Sequence, residues 1–561
     1  MQPARRPTRI STVTRSFAHA SVVAALAAFA ALAAPSGAGA DEVAVGDFGF
    51  TTVGLGATDN YGEPSIAIAP DGRHEIVTTP GGGGVSYWYS SDRGHTWGTT
   101  STQCGGGDSD IDFLPNGTAV SADLNFPGSP SNPADSCIRT SHDFGKTWSD
   151  FSRAGIEQDR QWLAHSPDGK TLYLVYHDFI AEAEFYSQST DGGATWTNLP
   201  TDQVLVNSPD QVTAVPVIAG GSVGTSASIL DQGVNTFSGP MLIDPNGKDY
   251  YVVYSISDLQ SNLNPQQGVP PYGPVRALVV AHSGDAGATW TNTLADVAQI
   301  SGTSESIENT LFPWGFVDSA GTVYVVFDST RDGAPGDHFH QYYVYSKDHG
   351  TTWSAPVKVD TLGLPNGAAA YATGAAVSPG VIDIAWYQSD DGAPSNDASV
   401  WTPHFAQVTG ADTAHPSIRT QAITHHPNHR GGICLQGILC GIGPGSSDRS
   451  LADFFMLAVN PATGLAEIAY ADNASFGVDA MGNKKGEVVV AHQGNNGVFK
   501  AAAPVPAPPA TGLSQANPGP AATSIGTPNT AGGGAPTYPA LLVLAVVAGV
   551  RAGARRRRRT P

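Results

Sequence analysis

Eight residues recur five times along this chain with almost no drift. The copies run Ser90–Trp97, Ser141–Trp148, Ser189–Trp196, Ser283–Trp290 and Ser346–Trp353, and each reads Ser-x-Asp-x-Gly-x-Thr-Trp. A pattern returning this often marks a repeat architecture, in which each unit buries its apolar faces only by stacking on its neighbours. The octapeptide has the chemistry of a hairpin turn. Ser and Asp side chains bond backbone N–H groups a few residues on, and Gly supplies the positive φ that other residues resist. Thr and Trp are expected to open a strand, the indole burying a large apolar area between sheets. Asp92, Asp143, Asp191, Asp285 and Asp348 are therefore read as structural carboxylates of turns, not as catalytic groups.

A second repeat precedes each box: a short apolar strand, a tight turn and another apolar strand. The turns include Pro70-Asp71-Gly72, Pro115-Asn116-Gly117, Pro167-Asp168-Gly169 and Pro245-Asn246-Gly247, and they continue around Gly321, Gly380 and Gly464. Asp-Gly and Asn-Gly between β-rich runs are strong hairpin signals. Seven units result, two of them without a clean octapeptide: Val408–Thr413 stands in its place in the sixth, and Ala491–Gly497 in the seventh. Turn-to-turn steps of 45 to 83 residues suit four-stranded blades with variable loops. The expected fold is all-β, a seven-bladed β-propeller over residues 41–500.

The octapeptide resembles the Asp-box, or BNR repeat, of the sialidase (neuraminidase) superfamily in its secreted bacterial form. That resemblance implies a propeller scaffold, boxes between the third and fourth strands of a blade, and six blades as the alternative count. It also implies a substrate clamp of three arginines, a Tyr activated by Glu as nucleophile, and an Asp acid/base. Loops entering the innermost strands and leaving the second strands would build the ligand site at one mouth of the channel. On that topology Arg160, Arg331 and Arg449 are the candidate clamp, Tyr371 with Glu308 the nucleophilic pair, and Asp178 the acid/base. Glu63 and Asp123 also fall at mouth positions. The Arg-Ile-Pro motif that sialidases carry on their first blade is absent, for unit one opens Glu63-Pro64-Ser65-Ile66-Ala67. The expected function is therefore recognition of a glycan or other extracellular ligand, with an exo-α-sialidase-type glycoside hydrolase as the alternative.

Both ends read as targeting material. Residues 1–40 carry Arg5, Arg6, Arg9 and Arg15, an apolar run and Ala38-Gly39-Ala40 as a cleavage site, the layout of a signal peptide. Residues 501–537 hold no charge and read as an Ala/Pro/Gly-rich linker. Residues 538–561 are an apolar tail ending in Arg555–Arg559, expected to associate with membrane or cell wall and so retain an exported protein at the bacterial surface. Residues 41–550 hold 18 basic against 49 acidic residues, a net charge of −31. Such a balance excludes nucleic acid as a partner, since binding there relies on basic contacts to phosphate.

Four cysteines in an exported chain suggest disulfides, with chain proximity favouring Cys104–Cys137 and Cys434–Cys440. His425, His426 and His429 lie near Cys434, but the spacing matches no familiar zinc pattern, so no metal ligands are assigned. His338 and His340 share a strand face, a weak metal signal. Asp108, Asp110 and Asp112 alternate and would also share a face. They are read either as a Ca²⁺ cluster or as solvated acids on an acidic surface.

Overall fold

The computed structural model describes residues 44–494 apart from 59–60, 81–84, 102–103, 126–133, 157, 179–182, 198–202, 205–215, 220–221, 226–233, 260–271, 298–311, 332–337, 365, 434–447 and 479–483. Among the described residues there is no helix, and none long and apolar enough to cross a membrane. The described residues form seven antiparallel sheets of four or five strands arranged as the blades of a β-propeller, and a separate two-stranded hairpin, Pro216–Ala219 with Ser222–Thr225. Blades 1 to 7 begin at innermost strands Ser65–Ile68, Ser109–Phe113, Gln158–His165, Val234–Ile243, Trp314–Val317, Ala368–Ser378 and Met456–Val459. Each innermost strand touches the next, and that of blade 7 touches that of blade 1, so the ring is closed. The strand pairing thus decides for seven blades over six.

Blade 7 borrows its outermost strand from the beginning of the propeller. Thr51–Gly54 pairs antiparallel with Glu487–His492, Thr51 opposite His492 and Gly54 opposite Val489. This explains why the seventh unit lacks the octapeptide. No hairpin joins its third and fourth strands, so no box is needed there. Blade 6 does have that hairpin, between Val400–Thr409 and Ser417–Ala422, but closes it with a different turn in which Thr413 donates its N–H and its hydroxyl to the Gly410 carbonyl.

In all five octapeptides the Asp accepts two bonds from Thr, one from its N–H and one from its hydroxyl, as between Asp285 and Thr289. The Ser hydroxyl donates to that Asp and accepts the Gly N–H, as Ser283 does with Asp285 and Gly287. These bonds, the Thr hydroxyl first, hold the exposed Asp191 and Asp348 carboxyls down at about 2. Their stabilising contribution is complete above the ordinary carboxylate range and is lost as pH falls through about 2. The Trp differs from expectation: it precedes the fourth strand instead of opening it. In four boxes its indole N–H folds back onto the carbonyl of the box Gly.

The turns also stitch neighbouring blades. Tyr186 of blade 3 donates to the carbonyl of Gly287 in the box of blade 4, and Thr293 of blade 4 to that of Gly350 in the box of blade 5. The boxes and the Pro-x-Gly turns both follow outward-running connections at one end of the ring. The innermost strands therefore start at the other end, which is the mouth.

Two consecutive residues of each box have positive φ. The first of them is Gly only in the third box; elsewhere it is Arg93, Phe144, Ala286 or His349. An L side chain in this region costs about 1–2 kcal/mol. Ala286→Gly is expected to stabilise the protein by up to about 1 kcal/mol. Ser283→Ala, which strands the buried Gly287 N–H, is expected to destabilise it by about 1–3 kcal/mol. Chemical denaturation of the two variants measures both signs.

Candidate active site

The mouth gathers side chains from the entrances of several innermost strands. Glu63 lies just before the first strand of blade 1, and Arg449 and Asp453 lie before that of blade 7. Arg449 grips Asp453 through both terminal nitrogens, and its Nη2 stands 3.5 Å from Glu63 Oε1. Gly62 permits this approach, because a Cβ there would sit 2.8 Å from that of Ala452. Glu63 is 2% exposed. Burial, then the neighbouring negative charges of Asp108 and Asp453, hold its carboxyl well above the usual range, partly opposed by Arg449.

Tyr371 reaches the same cluster from blade 6. Its hydroxyl donates to the Ala452 carbonyl. Burial, with the Asp453 charge, pushes the phenol well above its ordinary range. Tyr371 has φ 60° and Glu63 φ 52°, and Ala452 beside them has φ 58°. Three non-glycine residues in the left-handed region within one cluster is strain of the kind that collects at functional sites.

Arg160 enters from blade 3. Its Cζ lies 4.0 Å from the ring centres of both Trp162 and Phe454, and its Nη1 donates to the Ser109 carbonyl at 3.2 Å. Its Nε and Nη2 are buried without a protein partner. Beneath it the bore is filled by aromatic rings: Trp162 packs against Trp314 at 5.6 Å and Phe454 at 5.3 Å. Arg160 and Tyr371 each fall where strand register slips, between Gln158 and Gln161 and between Ala370 and Thr373. A bulge re-aims the side chain it carries. Here it turns both residues into positions a regular ladder would not supply.

The candidate clamp is not assembled as three. Arg449 and Arg160 meet around the Asp453–Phe454 segment. Arg331 instead grips Asp296 of the outermost strand of blade 4, with its guanidinium near the rings of Phe327 and Tyr342. The resemblance placed Arg331 by strand order alone, and strand order does not give distance from the axis. Glu308 lies outside the described residues. Asp178 ends the second strand of blade 3, with Gln158 opposite, and its side chain lies outside them as well. Glu63, assigned no role in the nucleophilic pair, is the acid found beside Tyr371 and Arg449. Asp453 was not anticipated; its signal was the Asp448-Arg449 segment, four residues earlier in the same loop. Asp123 accepts from the Tyr87 hydroxyl at the seam of blades 1 and 2.

The three alternating aspartates part company. Asp108 belongs with Glu63, Asp110 accepts from Leu163 N at 2.7 Å across the seam to blade 3, and Asp112 faces His165 at 3.7 Å. They do not converge on one point: Asp108 precedes the strand Ser109–Phe113, Asp110 is buried at the seam to blade 3, and the Asp112 side chain is half-buried beside His165. His340 is engaged by Asp360 at 2.6 Å. His429 is buried between Asn473 and the Gly432 carbonyl. A disulfide joins Cys104 to Cys137; Cys434 and Cys440 lie outside the described residues.

No protein-family model matches the chain, and no curated protein matches it. Among solved structures it is similar to a Dyadobacter fermentans protein of unknown function, at 12% identity over 79% of this chain and 99% of that one, TM-score 0.38. It is similar to an ulvan lyase, at 11% identity over 66% of this chain and 98% of that one, TM-score 0.38. It is similar as well to the α-L-arabinanase of Penicillium chrysogenum, at 12% identity over 66% and 99%, TM-score 0.35. The assignment of the fold rests on the chain's own strand pairing.

Burial, opposed by Arg160, raises the Asp110 carboxyl to about 6. A raised carboxyl stabilises the fold fully below its unfolded value near 4 and progressively less as pH climbs to 6. Asp110→Asn is expected to flatten stability between about pH 4 and 6, where the native protein loses roughly 2–3 kcal/mol. Denaturation midpoints across that range test it.

Proposed function

We propose that the mouth binds saccharide, and that its ligand is a neutral sugar and not an acidic one. The charge balance carries this reading. Glu63, Asp108, Asp110 and Asp453 surround two guanidiniums, and Arg449 is already neutralised by its grip on Asp453. An incoming carboxylate would meet an acidic rim whose other cation, Arg160, already faces the Asp110 carboxyl. Arg160 is 1% exposed and two of its nitrogens lack protein partners, so a sugar hydroxyl or ring oxygen that reached the base of the mouth would meet a ready donor. A glycan array should show neutral glycans bound and sialosides ignored, and Arg160→Ala should weaken binding about tenfold or more, the loss of a charged hydrogen bond. Turnover of a fluorogenic sialoside, abolished by Arg160→Ala, would instead establish the sialidase-type activity that the Asp-box resemblance implies.

A second reading, glycoside hydrolysis, is favoured by one observation: Glu63 is a carboxyl whose hold on a proton is strengthened by burial and by the neighbouring acids, beside a strained tyrosine. A raised carboxyl is what protonation of a leaving glycosidic oxygen requires. Glu63→Gln should then abolish turnover of glycosides with alkyl or sugar leaving groups, which cannot depart unprotonated, while leaving binding near its native strength. Unchanged turnover removes Glu63 from that role. We also propose export and retention at the bacterial surface, supported by the arginine-led apolar leader and the tail ending in Arg555–Arg559. Deleting 538–561 should move the protein from the cell fraction to the medium.

A further inference from the structure

At the opposite end of the ring, where blade 7 meets blade 1, three ligand-bearing side chains converge out of solvent. Glu75 opens the second strand of blade 1, Glu467 lies on the second strand of blade 7, and His492 ends the third strand of blade 7. Glu467 and His492 are cross-strand neighbours, imidazole Nδ1–H donating to carboxylate Oε2. Glu75 comes from the other blade and is 0% exposed, and neither of its carboxylate oxygens has a hydrogen-bond partner. One oxygen from each carboxylate and one imidazole nitrogen lie within 4.8 Å of one another. The first octapeptide roofs the group with Gly94, where a Cβ would fall 2.2 Å from His492 Cε1 and 2.9 Å from Glu75 Oε2.

Two carboxylates buried together with one imidazole are unfavourable unless a cation offsets them. A carboxylate with both oxygens unsatisfied at full burial is rare in a native fold, and an ion is one of the things that explains it. We infer that Glu75, Glu467 and His492 bind a divalent transition metal of the zinc class, which ties the last blade to the first. The donor set selects the ion. Imidazole nitrogen with two carboxylate oxygens suits zinc, whereas calcium and magnesium take oxygen donors in greater number. Three protein donors are also what zinc sites use when a fourth position is left to water. His492 lies opposite Thr51 of the closing strand, so the ion would sit at the joint on which the ring depends.

The half-buried group Asp249, His282 and His349 at the blade 4–5 seam offers a second place for zinc to bind. The test therefore uses the full chain carrying His349→Ala. After loading with zinc chloride and desalting, elemental analysis should find one zinc per chain. The thermal midpoint should be higher with zinc than with chelator, because an ion that binds only the folded state stabilises it. Adding Glu75→Gln or Glu467→Gln should weaken zinc binding at least about tenfold, the loss that even an outer partner of a metal ligand produces, and should abolish the thermal shift. Cobalt(II) loading should give a d–d absorption band that His492→Asn alters, a reading that does not depend on stability. Absence of bound zinc, equal zinc retention in the glutamine variants, an unaltered cobalt band, or an equal thermal shift with calcium would each overturn the assignment.

Discussion

The pairing of Thr51–Gly54 with Glu487–His492 turns seven sheets into a ring. A four-stranded sheet has two apolar faces and no way to cover both alone. In a row of such sheets the first and last would each leave a face and an edge in water. Borrowing the outer strand of blade 7 from the start of the propeller covers the last edge with backbone hydrogen bonds. It also sets the innermost strands of blades 1 and 7 in contact. The Glu75–Glu467–His492 group lies on that same joint.

The mouth depends on this closure more directly than the core does. Glu63 belongs to blade 1 and Arg449 to blade 7, and they face each other only because the ring closes. Tyr371 and Arg160 are delivered by bulges in strands of blades 6 and 3. The cluster is thus assembled from residues separated by up to several hundred positions, over a floor of packed aromatic rings. Desolvation there is severe, and it explains why a carboxyl beside an arginine is still held above its ordinary range. The Arg449 charge lowers Glu63, but burial and two neighbouring acids outweigh it.

Much of the scaffold was legible because its signals are local. Ser-x-Asp-x-Gly-x-Thr-Trp specifies its own turn through contacts spanning four residues, so five hairpins could be placed without knowing what packed on them. The Pro-Asp-Gly and Pro-Asn-Gly turns placed the connection two strands earlier, between the innermost and second strands. The missing box of the seventh unit was legible as an absence, but its reason was not, since the replacing strand lies more than four hundred residues upstream. Reading the mouth from strand order put Arg160, Arg449 and Tyr371 at their blade entrances. The same reasoning failed for Arg331. It follows a second strand as expected, yet Asp296 draws it to the outer seam.

The sequence by itself determined the repeat, the hairpins and the all-β class, because each is encoded in spacings shorter than one blade. Only the tertiary structure decided which acids share a cavity. Asp108, Asp110 and Asp112 look alike in the chain, but one faces Glu63, one bonds Leu163 N and one meets His165. A carboxylate's chemistry is set by burial and by the charges around it, and both come from blades that adjoin in space and not in sequence.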